Sequence, residues 1–137
     1  MMRFNPRQKF RPSSEAKAFL QYLKERAVFG RQIDAYAFAA AYAMRNNFDI
    51  SEVSIKDRSD MEEVGTLDNE VRLALEAGIH SLNKRNGMSQ IEDPQRLMDL
   101  ASRYAETGLM HLQSQWLGKT SIQIQDQIRL IVSQIGS

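Results

Sequence analysis

The sequence predicts an all-α protein, a compact bundle of about five helices, and three observations carry that expectation. Apolar residues recur at helical spacing in several separate stretches. Prolines and glycines are scarce, three and seven in 137 residues, which disfavours a turn-rich β architecture. Helix start signals, Pro12-Ser13-Ser14 and Asp93-Pro94, stand directly before periodic segments.

The first helix is expected over Ser14 to Arg26, with Phe19, Leu20 and Leu23 as its apolar stripe and Gly30 as the break after it. A second is expected over Gln32 to Arg45, where Asp34 in the first turn and Arg45 in the last both suit the helix dipole. Its sequence, IDAYAFAAAYAMRNN from Ile33 to Asn47, is apolar nearly all round, which fits a central helix surrounded by others. The alternative is an alanine face used for self-association. The stretch after Asn47, FDISEVSIKDRSDMEEVGT, shows no sustained period and reads as a connection with at most one short strand or helical turn.

A third helix is expected from Leu67 or Asp68 to Lys84, with Thr66 as its cap and Val71, Leu75, Ile79 and Leu82 on one face; Asn86-Gly87 ends it. The fourth starts with Asp93 as cap and Pro94 in its first turn. It runs through Leu97, Leu100, Ala101, Tyr104, Ala105, Leu109 and Leu112 to Trp116 or Leu117, with Gly118 closing it and Trp116 as a packing anchor. The last segment alternates over Ile122 to Gln125 as a strand would. Thr120 and Gln123, however, have capping-box spacing, and Ile124, Ile128, Ile131 and Ile135 repeat helically, so a helix is favoured.

Composition bounds the function. The chain is 42% hydrophobic and 26% charged with formal net charge +1, the profile of a soluble globular protein. The absence of cysteine excludes thiolate nucleophiles, disulfides and cysteine zinc sites. No apolar run reaches the roughly 20 residues a membrane crossing needs, so a cytoplasmic location without membrane contact is expected. No glycine-rich phosphate loop occurs. His80 and His111 lack ligand spacing and read as core-edge residues, and the acid pairs Glu62-Glu63 and Glu92-Asp93 read as solvated or capping groups. Neither a metal nor a cofactor is expected, and no catalytic residue is assigned.

The opening MMRFNPRQKFRP holds Arg3, Arg7, Lys9 and Arg11 and no acid. Residues 1–12 are accordingly expected as a flexible basic arm ahead of one helical domain over 13–137. These four residues are the candidate nucleic-acid contacts: cations for phosphates, with Phe4 and Phe10 placed between them to stack or pack. The alanine-rich second helix and the isoleucine-rich last one together suggest a homo-oligomer.

Arg11-Pro12, the apolar helix after it and IDAYAFAAAYAMRNN together resemble the small accessory proteins found with bacterial DNA phosphorothioation (Dnd) clusters and related anti-phage loci. Tyr104 to Leu112, YAETGLMHL, resembles their closing helix, and Tyr42 to Met44 stand where those proteins carry a glycine. The resemblance implies a non-enzymatic accessory subunit of a DNA-modification or defence system, with protein partners from a DNA-processing complex and DNA backbone contact as an added role. Two other readings are a small helical nuclease or toxin component, assembled from Arg72, His80, Arg103 and His111, and a plain oligomeric scaffold.

Overall fold

A computed structural model describes residues 1–135. It contains α1 (Ser14–Glu25), α2 (Gln32–Arg45), a 3-10 turn (Val64–Thr66), α3 (Asn69–Arg85), α4 (Pro94–Trp116) and α5 (Ser121–Ile135). The expected all-α bundle is what forms. Among the described residues no strand occurs, only one isolated antiparallel bridge between Lys9 and Glu63, and no helix is long and apolar enough to cross a membrane.

Capping chemistry sets most of the boundaries. Ser13 caps α1 through its side chain, and Asp93 accepts from the Arg96 amide at 2.8 Å to start α4 with Pro94 in the first turn. Thr120 and Gln123 form a reciprocal capping box, each side chain accepting the other's amide at 3.2 and 2.9 Å. This box decides the ambiguous last segment in favour of a helix. Two expected signals are displaced. Asp68, rather than Thr66, caps α3, because its carboxylate reaches the Glu70 amide while Thr66 lies in the 3-10 turn. Helix α1 stops before Gly30 is reached: Ala27 adopts φ 56°, and the amides of Ala27 and Val28 close back onto the carbonyls of Lys24 and Leu23.

Helix α2 is central and packs most extensively on α4. Eight of its residues are buried, five of them alanines, which lets neighbouring backbones approach closely. Closest of all is Gly108 of α4, where an added Cβ would collide with the backbone carbonyl of Ala39. Trp116 is fully buried against Phe19 and Phe38 and donates its indole N–H to Gln127 of α5 at 2.8 Å. It is therefore the packing anchor that was expected. Leu75, Ile79 and Leu82 of α3 are buried, whereas Val71, the fourth member of that face, is 41% exposed.

The largest correction concerns residues 1–12, which are a packed strap rather than a free arm. Phe4 and Phe10 lie in the core, with Phe10 edge-on to Tyr36 at 5.3 Å between ring centres. The carbonyls of Pro6, Gln8, Phe10 and Pro12 accept amide hydrogen bonds from Gly65, Val64, Met61 and Ser59. Acceptors at every second residue are those of an extended segment, and the connection after α2 supplies the donors. Two phenylalanines in twelve residues bring more apolar surface than a solvated arm would leave exposed.

Candidate functional site

The strap carries three of its four expected basic residues to one place. Arg7, Lys9 and Arg11 line a polar cleft of about 390 Å³ between the strap, the connection at Arg58 and Asp60, and the start of α4 at Gln95 and Asp99. Arg58, which sequence reasoning did not single out, is held there by donating from Nε to the Arg11 carbonyl at 3.0 Å. Only folding brings it close to Arg11, 47 positions away. Arg11 itself pairs with Asp60 at 3.2 Å, with both side chains more than half exposed, so solvent screens that pair and it neutralises the cleft only weakly. Asp99 is shared by Arg96 at 3.1 Å and Arg103 at 3.0 Å. Arg7 and Lys9 are exposed, and neither makes an ion pair among the described residues. The cleft therefore has a surplus of cations at fixed spacing, suited to an extended polyanion.

Arg3 is used differently. Its Nε donates to Oε1 of Glu76 at 2.7 Å, and the Phe4 amide donates to Oε2 at 2.6 Å. Glu76 is 1% exposed, and these two donors satisfy both oxygens of the enclosed carboxylate. Arg3 is thus the counter-ion that fastens the strap to α3.

A second buried acid, Glu106 on α4, ties three elements together. It accepts from the Ser13 hydroxyl at 2.5 Å, the Ser13 amide at 3.3 Å and the Tyr36 hydroxyl at 2.8 Å. It also forms the floor of a cavity of about 300 Å³ whose walls include Phe19, Lys56 and Leu109. Burial, reinforced by the adjacent Glu106 carboxylate, pushes the Tyr36 hydroxyl well above its ordinary value of 10.0. The folded protein therefore holds that proton more tightly than the unfolded chain does. Stability from this group is full below pH 10.0 and is lost as the pH rises through the higher folded value. Tyr36→Phe should remove that alkaline loss while costing about 1–2 kcal/mol at neutral pH, because Glu106 loses a donor. Urea midpoints measured on either side of that pH check both signs.

Both buried glutamates were legible only as charges at inward positions of otherwise apolar faces, Glu76 beside Leu75 and Ile79, and Glu106 beside Ala105 and Leu109.

The four residues of the nuclease reading each have partners of their own. His80 bonds the Met2 carbonyl at 2.8 Å, and His111 stacks on Phe48 with ring centres 3.9 Å apart. Arg72 donates to the Gly65 carbonyl and to Asn69, and Arg103 donates to Asp99 and the Val53 carbonyl. No hydrogen bond, ion pair or ring contact among the described residues joins any two of the four. Nor do three or more His, Asp or Glu side chains among the described residues form a group that could hold a metal ion. No family model, curated protein or solved structure matches the chain.

Proposed function

We propose that this protein is a non-enzymatic accessory subunit of a bacterial DNA-modification or anti-phage defence system, located in the cytoplasm. It acts as a homo-oligomer through contacts with DNA-processing proteins and, through its basic cleft, with the DNA backbone. The observation that carries the DNA contact is the convergence of Arg7, Lys9, Arg11 and Arg58 on one cleft. The resemblance of Ile33 to Asn47 and of Tyr104 to Leu112 to Dnd-associated accessory proteins supports the cellular setting.

Cations fixed on a folded surface bind phosphate without reading sequence, so affinity should be independent of base composition and should fall steeply with salt. Each phosphate contact contributes about 0.9 to the log–log salt slope. Mobility-shift titrations at low salt with the intact protein and an Arg7→Ala/Lys9→Ala variant test the reading. Loss of both side chains should reduce the slope by about 2 without changing the helical circular dichroism. An unchanged slope would move DNA contact to another face. No binding by the intact protein would remove the DNA role and leave protein contact, which co-purification with DNA-processing proteins encoded at the same locus then tests.

A further inference from the structure

Helices α2 and α3 run side by side in the same direction. Arg31, at the start of α2, donates to the Thr66 carbonyl just ahead of α3, and Met44, near the end of α2, lies over Gly78 of α3. Between them opens an apolar groove of about 620 Å³. Along its α2 wall stand Asp34, Phe38, Ala41 and Arg45, all lining the groove. Their spacing of four, three and four residues puts them on one stripe, the spacing of a coiled-coil seam. The α3 side sets the small residues Ala74, Gly78 and Ser81 beside Val71, Leu75 and Leu82. Small residues on that wall leave room for another helix backbone to approach.

The two ends of the α2 stripe carry opposite charges, and everything between them is apolar. Asp34 and Arg45 are separated by eleven residues, about 16 Å of helix. A second copy laid against the groove about a two-fold axis near Phe38 and Ala41 runs its α2 antiparallel to the first. That arrangement brings the Asp34 of each copy opposite the Arg45 of the other. The same patch then satisfies itself twice, as an isologous interface requires. Each Asp34 oxygen accepts one hydrogen bond from Arg31, at 2.9 and 3.0 Å, and retains a lone pair for a second guanidinium.

We infer that the α2–α3 groove is the interface of an antiparallel homodimer, sealed at each end by Asp34 of one copy and Arg45 of the other. This rests on the self-association in the proposed function but not on its DNA contact, which uses the cations of a separate cleft.

The test is a charge swap read by sedimentation velocity, with circular dichroism to establish that each variant is folded. The intact protein should sediment as a dimer at micromolar concentration. Asp34→Arg and Arg45→Asp each place like charges together at both ends of the interface, and each should weaken dimerisation at least about tenfold. The double variant Asp34→Arg/Arg45→Asp exchanges the signs and should recover the dimer. Because the chain has no cysteine, Ala41→Cys, close to the two-fold axis, should oxidise to a disulfide-linked dimer. Leu130→Cys, more accessible on α5 at 63% exposure, should not. An intact protein that sediments as a monomer overturns the inference and the oligomer reading together. A dimer indifferent to both single reversals overturns this interface alone, and so does a double variant that stays monomeric.

Discussion

Phe10→Ala should destabilise the protein by about 3–5 kcal/mol, the range for emptying a buried aromatic site. Phe10 is 2% exposed and meets Phe4 and Tyr36 edge-on at 6.5 and 5.3 Å, so its removal leaves a void that the rigid rings on both sides cannot close. Deleting residues 1–11 should be more severe and should abolish cooperative unfolding. Such a deletion removes both phenylalanines, strips the amides of Met61, Val64 and Gly65 of their acceptors, and leaves the Glu76 carboxylate buried without Arg3 or the Phe4 amide. An uncompensated buried charge by itself costs about 3–5 kcal/mol. A free basic arm predicts the opposite, a truncated protein as stable as the intact one. Urea denaturation followed by circular dichroism separates the two. The same consideration rules out terminal deletion as a probe of DNA binding, and for that reason the cleft is tested by point substitutions.

Gly108→Ala should destabilise although helix propensity favours it. In an exposed helix interior, alanine in place of glycine gains about 1 kcal/mol. Here the added methyl meets the Ala39 carbonyl, a backbone atom that cannot rotate away, so α2 and α4 must separate along the central contact of the bundle. Overpacking of that kind costs about 1–3 kcal/mol, and the net change should be a lower melting temperature. Gly78→Ala provides the contrast. Its new methyl would meet the Met44 sulfur at 3.3 Å, the end of a flexible side chain that can rotate aside, so propensity should prevail and stability should hold or rise. Equal changes at the two glycines would show that close helix approach is not what Gly108 provides.

Much of the fold was legible because its signals are local. The capping box at Thr120 and Gln123, the Asp93-Pro94 start of α4 and the bounds of α2 depend on residues within one or two turns of each other, and the chain carries them wherever it folds. Less was legible of the candidate site. Arg7, Lys9 and Arg11 stand out as cations in an acid-free stretch, but nothing local distinguishes them from Arg3. The difference is Glu76, 73 positions away. Arg58 lies among nearby acids in the sequence and joins the cleft only through the Arg11 carbonyl.

By itself the sequence determined the helical class, the order of the five helices, the centrality of the alanine-rich α2 and the burial of Trp116, because periodicity and capping are properties of neighbouring residues. Tertiary structure alone decided the fate of the first twelve residues. Counting charges favours a solvated arm, whereas burying Phe4 and Phe10 and pairing alternate carbonyls with amides far along the chain favours a strap. Which effect wins depends on whether a matching surface exists elsewhere in the chain. That surface is made by α2, α3, α4 and the connection after α2, elements whose mutual placement no local pattern encodes.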